Sequence, residues 1–280
     1  MAKRKGSKSF MSLSKGECLI AYKNLLHNAD EVYSDAITLA EKNSYGRATS
    51  LLILSMEETM KAYVLYLDGN GFQFRLRVKG ISNLFNNHIL RYPLALILSI
   101  MHIFIKDFKR IVTKARENPH EILNHKIDKK YMNQKLVEYL VRKLPVVITE
   151  IVWFSQAEIY RQKGFYVDYV DELETPLSVN KEQYEDIKLR IDSLREISNS
   201  FWGVFEIKDL EYQKQMIEIK ERFIEEDWYG RIGDLIGKFR EQDSNPLIEL
   251  SIVAEDFLKH LQTTKNLSIL KNPFFSAKNV

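Results

Sequence analysis

Residues that form turns are scarce along this chain. Its 280 residues include only 11 glycines and 6 prolines, the two residue types that most often interrupt regular structure. Long, uninterrupted helices are the structure that such a sequence favours. Hydrophobic residues make up 45% of the chain and charged residues 28%, values typical of a folded globular protein. The sequence therefore predicts an all-α protein with a substantial core.

The charge of the chain is nearly balanced. It carries 41 basic and 38 acidic side chains, which gives a formal net charge of +3. A domain built mainly to hold nucleic acid usually shows a larger basic excess, so the charge does not support an extended nucleic-acid surface. The first residues are mostly basic, and we expect residues 1–12 to form a disordered, solvated tail.

Cysteine content and hydropathy indicate the compartment. A single cysteine, Cys18, excludes an internal disulfide and a cysteine-based zinc site. The N-terminus does not resemble a signal peptide, and the most apolar run, residues 94–105, is shorter than the roughly 20 residues that a membrane span needs. We therefore expect a cytoplasmic protein that has no association with the membrane.

Hydrophobic periodicity defines the first two helices. Apolar residues recur at intervals of three and four over residues 13–43, which predicts a long amphipathic helix. Ser14 is a suitable N-cap, and Glu17 three residues later completes a capping box. After a short break at 43–46, a second helix is predicted to continue to about Leu67 and to end at the glycines of 68–71.

The rest of the chain divides into further helices and one extended segment. Residues 72–80 alternate weakly and predict a short strand or an extended linker, whereas 165–176 predict an extended segment after Gly164, the expected helix C′ residue. The remaining helices are predicted over 92–117, over 130–163 as one helix or as a pair divided near Pro145, and over 181–199, 209–227 and 246–262. The change in character near Pro176 predicts a bundle over 13–176 and a charged helical region over 177–280.

The second helix carries charged residues among apolar ones. At about 100° per residue, Glu58 falls in an apolar stripe with Leu51, Leu54, Ala62 and Leu65. Glu57 and Lys61 flank this stripe and are four residues apart, so they can pair. Because a carboxylate among apolar side chains needs a partner, we predict a polar cluster inside the bundle. Such a cluster fixes helix register or serves a function.

Other polar residues are also candidates. His88 precedes the third helix, and Arg161 ends the helix of 130–163 one turn after Glu158. Taken alone, the histidine is typical of a hydrogen-bonded structural residue and the arginine of a cation at a helix C-terminus. The remaining histidines lack the spacing of metal ligands, and the sequence has no phosphate-binding glycine loop and no nucleophile elbow. We predict neither a metal ion nor a cofactor.

Three segments together resemble a known family. Residues 21–36 form an alanine- and leucine-rich helix, and residues 45–61 end in Glu-Glu-x-x-Lys after an apolar run. Residues 161–169 are similar to a Leu-Tyr-Val-Asp segment, with Phe165 in place of the leucine. This order resembles the abortive-infection V (AbiV) family, and His88 matches a histidine that the family places between these motifs.

The resemblance implies a fold and a function. The AbiV family is grouped with the HEPN superfamily of helical bundles, many of which are ribonucleases of toxin and defence systems. The chain is accordingly expected to form a HEPN-like antiparallel helical bundle and to act as a toxic effector that aborts phage infection by stopping translation. HEPN ribonucleases carry an arginine, four to six residues and then a histidine. Here Arg161 is followed at that distance by Tyr166.

The resemblance also implies candidate site residues. If the protein is an enzyme, the expected reaction is metal-independent RNA cleavage, with Arg161 and Lys163 binding the scissile phosphate. His88 or a carboxylate would move protons. Glu58 and Lys61 would hold these groups in place, and Tyr166 and Asp168 complete the candidate catalytic set.

Two alternatives to the enzyme stay open. The motifs could be structural in an interaction protein whose surface captures a phage or host factor, or in a regulatory, antitoxin-like bundle. Because HEPN-like domains commonly pair and the N-terminal helices are apolar around much of their circumference, we expect a homodimer. RNA is the expected substrate of the enzyme, and a phage-encoded protein is a candidate activator.

Overall fold

The structure is a computed structural model that describes residues 9–88, 90–103, 129–170 and 172–240. Its helices are α1 (Lys15–Glu41), α2 (Tyr45–Gly69), α3 (Phe74–Arg77), α4 (91–103), α5 (Lys129–Lys163), α6 (Lys181–Phe201), α7 (Leu210–Glu225) and α8 (Trp228–Arg240). Short 3-10 helices cover Phe10–Ser12, Ile81–Phe85, Pro176–Ser178 and Val204–Glu206. Two short strands, β1 (Asp168–Val170) and β2 (Glu172–Glu174), form a hairpin. The predicted all-α class is confirmed.

Helices α1 and α2 form an antiparallel hairpin. The predicted capping box is confirmed, because the Ser14 backbone N–H donates to Glu17 at 2.8 Å and the Ser14 hydroxyl accepts from the Glu17 backbone N–H. The three-residue connection reverses the chain at Asn43, which has a φ of 60°. Ser55 then ties α2 to α1 by donating its hydroxyl proton to the Ala29 carbonyl at 2.7 Å.

Helix α2 is the central helix of the described fold. It packs against α1, α5 and α6, and it is buried along most of its length, with the stripe of Arg47, Leu51, Leu54 and Lys61 as its least buried face. Its core side chains include Leu52, Ile53, Met60 and Leu65, which are fully buried. Side chains on the other faces of α2 therefore meet protein rather than water.

Helix α5 runs through Pro145 as one element, so the predicted division there is wrong. A proline inside a helix removes a backbone hydrogen bond and costs about 3 kcal/mol. The same helix buries Val147, Ile151 and Phe154 in the core, and each such side chain contributes about 1.5 to 3 kcal/mol. Burial on this scale outweighs the cost of the proline.

Residues 72–80 are also different from the prediction. They contain the short helix α3 instead of a strand or an extended linker. Phe74 and Val78 lie four residues apart and are both buried, as is Phe72 just before the helix. The weak alternation in this segment thus reflects a compact turn that buries its apolar side chains.

The predicted extended segment after α5 is confirmed as the β1–β2 hairpin, in which Tyr169 is paired with Leu173. Helix α6 follows and packs on α2 through Tyr184, Ile187 and Ile191. The same core reaches α8 through Tyr229, so it continues past Pro176.

Some expectations concern residues outside the described ranges. These are the tail over residues 1–8, the third helix beyond residue 103 and the helix of 246–262. Within the predicted tail, Phe10 stacks on Phe85 with ring centroids 5.0 Å apart.

Candidate functional site

The site is built around Glu57, in the middle of α2. Its side chain has no exposed surface. Ile53, Met60 and Val64 lie on the same stripe of the helix, and all three are buried. Removing a carboxylate from water costs several kcal/mol, so this position requires charged or hydrogen-bonding partners.

Four side chains from two other parts of the chain supply these partners. Glu57 Oε2 accepts from Arg91 Nη1 at 2.6 Å and contacts His88 Nδ1. Glu57 Oε1 accepts from the Tyr92 hydroxyl at 2.9 Å and lies 3.5 Å from Arg161 Nε. Residues 88–92 and the end of α5 therefore meet at one buried carboxylate.

Glu158 joins this group from α5. Its carboxylate binds Arg161 in a two-pronged contact, with Nε–Oε2 at 3.0 Å and Nη2–Oε1 at 2.6 Å. The Tyr92 hydroxyl lies 2.6 Å from Glu158 Oε2, so it bridges Glu158 to Glu57. We call Glu57, His88, Arg91, Tyr92, Glu158 and Arg161 the Glu57 cluster.

The environment of the cluster fixes its charge states. Burial opposes ionisation of Glu158, but hydrogen bonds from Arg161, Tyr92 and Gln162 hold the pKa of this carboxyl below its ordinary value. The hydrogen bond to Glu158 raises the pKa of Arg161. Burial, together with the negative charges of Glu57 and Glu158, raises the pKa of Tyr92. Tyr92 is therefore a neutral hydrogen-bond donor, and Arg161 is a cation.

Arg91 is an anchor for the segment before α4. Its side chain is almost fully buried, and its three nitrogens are all engaged. Besides the bond to Glu57, Nε donates to the Leu84 carbonyl at 2.9 Å and Nη2 to the Phe85 carbonyl at 3.2 Å. These three hydrogen bonds hold the backbone of Leu84 and Phe85, just before His88, against α2.

His88 connects the buried carboxylate to solvent. Its side chain is 42% exposed, although its Nδ1 lies against Glu57 and 3.0 Å from Arg91 Nη1. In the tautomer that carries the proton on Nδ1, the ring donates to Glu57 and Nε2 presents a lone pair. A buried carboxylate that orients a solvent-reachable imidazole in this way is suited to proton transfer.

The structure brings together only two of the residues predicted for the site. His88 and Arg161 both reach Glu57. Glu58 instead pairs with Lys61 at 2.5 Å, one helical turn away on α2, and these side chains are 12% and 11% exposed. Lys61 therefore pairs with Glu58 and not with Glu57, whose partners come from other elements.

The residues after Arg161 lie at the end of α5 and in the hairpin. Lys163 is the last residue of α5, and Asp168 begins β1. Tyr166 is exposed, and its backbone N–H donates to the Gln162 carbonyl at 3.0 Å.

Gly164 is required for a different reason from the one predicted. It does not have the left-handed backbone of a helix C′ residue. A Cβ atom at Gly164 would lie 2.0 Å from the Ser50 hydroxyl and 2.1 Å from the Gly46 carbonyl oxygen. The glycine therefore allows the end of α5 to pack directly against the start of α2.

Sequence reasoning did not select Glu57, Arg91, Tyr92 or Glu158 as site residues. Apolar residues flank both Glu58 and Glu57 in the sequence, so the stripe of Ile53, Met60 and Val64 gives an equally strong signal for Glu57. The structure shows that this second stripe is the more deeply buried one. Arg91 is 34 residues from Glu57, and no local pattern connects them.

Two further findings concern the described residues alone. Among them, no three histidine, cysteine, aspartate or glutamate side chains are grouped so that they could hold a metal ion. No helix in the same ranges combines the length and the apolar character needed to cross a membrane.

Comparison with known proteins identifies a family. A family model described as AbiV, of the HEPN type, matches residues 17–193, which include nearly all of α1, α2, the Glu57 cluster and most of α6. Searches of curated proteins and of solved structures find no match. The family match points to a function in abortive infection, a defence against phage. Since it covers more than half of the chain, the protein belongs to the AbiV family of HEPN-type proteins.

Proposed function

We propose that this protein is an abortive-infection effector that cleaves RNA without a metal ion at the Glu57 cluster, and thereby stops translation. The observation that carries the proposal is the half-exposed His88 held by the fully buried Glu57, with the Arg161 guanidinium on the same carboxylate. An oriented proton acceptor beside a fixed cation is what cleavage through the ribose 2′-hydroxyl requires.

The reaction assigns a role to each group. His88 Nε2 takes the proton of the 2′-hydroxyl while the 2′ oxygen attacks phosphorus. The bond from phosphorus to the 5′ oxygen breaks, and that oxygen takes a proton from water. Arg161 stabilises the charge that develops on the phosphoryl oxygens. The products are a 2′,3′-cyclic phosphate and a 5′-hydroxyl end.

The contacts of Arg161 determine how a substrate phosphate can bind to it. Its Nε and Nη2 are both bound by Glu158, so a substrate phosphate competes with this carboxylate for the guanidinium. Lys163, two residues further along α5, adds positive charge at the end of this helix. We infer that substrate displaces Glu158 from Arg161, while Glu57 and Tyr92 stay in place.

His88 supplies the imidazole group that this chain lacks after Arg161. HEPN ribonucleases place a histidine where this chain has Tyr166. Imidazole is the side-chain group best suited to proton transfer near neutral pH. In this proposal His88 takes that role from the other side of Glu57, and its contact with Glu57 supports the assignment.

Incubation of the purified protein with total RNA, with and without EDTA, tests the proposal. We expect cleavage in both samples and fragments that end in cyclic phosphates. Arg161→Ala should abolish both cleavage and toxicity. Arg161→Lys should restore only part of them, because an ammonium group lacks the planar fork. Absence of cleavage in both samples, with or without a phage-encoded activator, would favour the interaction protein.

We also propose that the protein is a homodimer formed through α5. Leu144, Ile148, Val152 and Ile159 are exposed on one stripe of this helix, at the spacing with which paired helices pack. Because α5 also carries Arg161, this pairing would bring two sites close together. Light scattering should give twice the chain mass of 32.9 kDa. Val152→Glu should give the single mass, whereas Leu189→Glu on α6 should not.

A further inference from the structure

Residues 9–13, which we call the N-terminal segment, are fixed to the fold by one arginine. Arg75 and its ion-pair partner Asp68 have side chains that are 8% and 3% exposed. Arg75 Nε binds the Asp68 carboxylate. Its Nη1 donates to the Phe10 carbonyl, and its Nη2 donates to the Leu13 carbonyl at 2.9 Å. Because a buried ion pair needs fixed partners, the N-terminal segment has a defined position near the C-terminal end of α2.

The fixed segment presents one aromatic ring to the residues before His88. The Phe10 ring stacks on that of Phe85, with centroids 5.0 Å apart and an interplanar angle of 21°. The Phe85 carbonyl accepts from Arg91 Nη2 at 3.2 Å, and Arg91 is bound to Glu57. Phe85 is therefore held through its ring by the N-terminal segment and through its backbone by the Glu57 cluster.

A short, tight turn connects Phe85 to His88. The two residues between them are asparagines, and neither is buried. Their backbone N–H groups both donate to the Asn83 carbonyl, at 3.0 and 2.6 Å, so they continue the turn in which Phe85 lies. Phe85 is the last apolar side chain before His88. A displacement of the Phe85 ring should therefore also displace the imidazole.

Both ends of this chain of contacts are attached to α2. Asp68 lies near the C-terminal end of the helix, and Glu57 lies about 16 Å away along its axis, at about 1.5 Å per residue. A helix that is closely packed over most of its length keeps this separation constant. The Phe10 ring therefore has a fixed position relative to the Glu57 cluster.

We propose that Phe10 is a positioning residue for the reaction, which keeps His88 in contact with Glu57 by stacking on Phe85. This inference rests on the proposed function, in which His88 Nε2 takes a proton. Proton transfer requires hydrogen-bond distance between donor and acceptor, and a misplacement of about 1 Å can lower a rate about 100-fold. A ring that contributed only to stability would change the melting temperature and leave the orientation of His88 as it is.

The rate of RNA cleavage by the full-length protein in EDTA is the first test. Phe10 is only partly buried, so Phe10→Ala should fold. It should lower kcat about 10-fold and change KM less than about 2-fold, because substrate binding is assigned to other residues. Phe10→Tyr keeps the stacked ring and should cleave at the wild-type rate.

Leu25→Ala is the matched control. Leu25 packs in the same apolar cluster as Phe10, but it lies on α1. This change should lower the melting temperature at least as much as Phe10→Ala does, because Leu25 is the more deeply buried of the two. It should leave kcat within about 2-fold of wild type.

A double-mutant cycle tests the connection through Phe85. Phe85→Ala should lower kcat by a similar factor of about 10, because it removes the other ring of the stack. If Phe10 acts through Phe85, the double variant should also lose about 10-fold. Independent effects would instead multiply to about 100-fold, and that result would overturn the proposal.

The tautomer of His88 is a readout that does not depend on cleavage. The protein has six histidines, and in an NMR spectrum of protein with isotopically labelled histidine the signals of His88 are those missing from His88→Ala. In wild type the neutral ring should carry its proton on Nδ1 alone, because Nδ1 faces Glu57. Phe10→Ala should give signals of both tautomers, whereas Phe10→Tyr and Leu25→Ala should not.

Unchanged tautomer signals in Phe10→Ala would overturn the inference, as would a loss of kcat in Leu25→Ala equal to that in Phe10→Ala. The two proposals fail separately. If the wild-type protein cleaves no RNA but Phe10→Ala still mixes the His88 tautomers, the nuclease is contradicted and the positioning role of Phe10 is supported. Cleavage that depends on His88 and is indifferent to Phe10→Ala supports the nuclease and contradicts the positioning role.

Discussion

Two of the polar clusters that connect helices in the described part of this protein differ in their access to water. The Glu57 cluster is centred on a carboxylate with no exposed surface. The second, which we call the Tyr33 cluster, lies at the surface between α1 and α6 and comprises Asp30, Tyr33, Lys188, Asp192 and Arg195. Asp30 is 62% exposed and Asp192 is 36% exposed.

The Tyr33 cluster has good geometry in spite of its exposure. Asp192 accepts from the Tyr33 hydroxyl and from Lys188 Nζ, both at 2.6 Å. The Arg195 guanidinium lies 4.2 Å from the centre of the Tyr33 ring and donates to Asp30 at 2.7 Å. Water and salt screen such pairs, and each contributes about 1 kcal/mol or less.

The difference indicates why the buried cluster exists. Replacing a buried ion pair by apolar side chains is often neutral or stabilising, so stability does not explain three ionic partners around Glu57. A surface network like the Tyr33 cluster connects two helices at little cost. We infer that the Glu57 cluster is kept for its chemistry, and its contact with the half-exposed His88 supports this.

The largest expected effect is that of Glu57→Ala. This change leaves the Arg91 guanidinium buried without its carboxylate, and breaking a buried pair costs about 3 to 5 kcal/mol. Urea denaturation of the variant should show a loss of this size. Asp192→Ala is the control from the Tyr33 cluster. If the two variants lose the same stability, the distinction between the clusters does not hold.

Glu58→Ala should have a smaller effect. Glu58 and Lys61 are mostly buried but reach solvent, so the loss should be about 2 kcal/mol, between the values for buried and surface pairs. A double-mutant cycle with Lys61→Ala measures the pair itself. The double variant should lose less stability than the sum of the two single variants. Additive losses would show that the pair contributes nothing.

The contribution of Glu158 should depend on pH. Its pKa in the folded protein is held below the ordinary value of 4.5, so Glu158 stabilises the fold above that value. This stabilisation is lost as the pH falls through the lowered pKa of the folded protein. The difference in stability between wild type and Glu158→Gln, about 1 kcal/mol near neutral pH, should therefore disappear in acid. A difference that grows in acid would contradict the assignment.

The smallest effect should come from Asp192→Asn. This change removes one charge from the Tyr33 cluster and leaves a group that can still accept the Tyr33 hydrogen bond. We expect a loss below about 1 kcal/mol that disappears in high salt, because the pair is screened. Thermal melting at low and high salt measures it. A salt-independent loss of several kcal/mol would place this cluster in the same class as the Glu57 cluster.

The parts of the fold that could be predicted are those that depend on short-range sequence patterns. The start of α1 follows from Ser14 and Glu17, which lie three residues apart, and the structure has the predicted capping box. Pro145 and residues 72–80 were predicted wrongly because local preference was overridden by burial in the core. Phe74 is an example, since its side chain packs against Tyr229 more than 150 residues away.

The site was harder to predict than the fold. His88 and Arg161 were selected through the resemblance to a family, and they do meet. Their meeting point, Glu57, differs from the selected Glu58 by one position, which rotates a helical side chain by about 100°. Choosing between these neighbours requires knowledge of what covers each face of α2. Periodicity cannot provide that information, because apolar residues flank both positions in the sequence.

The rate at which His88→Ala cleaves a single-stranded RNA in EDTA tests the central claim most directly. His88 is 42% exposed, and Glu57 keeps Arg91 and Tyr92 in this variant, so the melting temperature should stay close to that of wild type. We predict that cleavage falls about 100-fold or more, as expected for loss of a general base, while Asp192→Asn cleaves at the wild-type rate. Cleavage by His88→Ala at the wild-type rate would contradict the assignment of the Glu57 cluster as the active site.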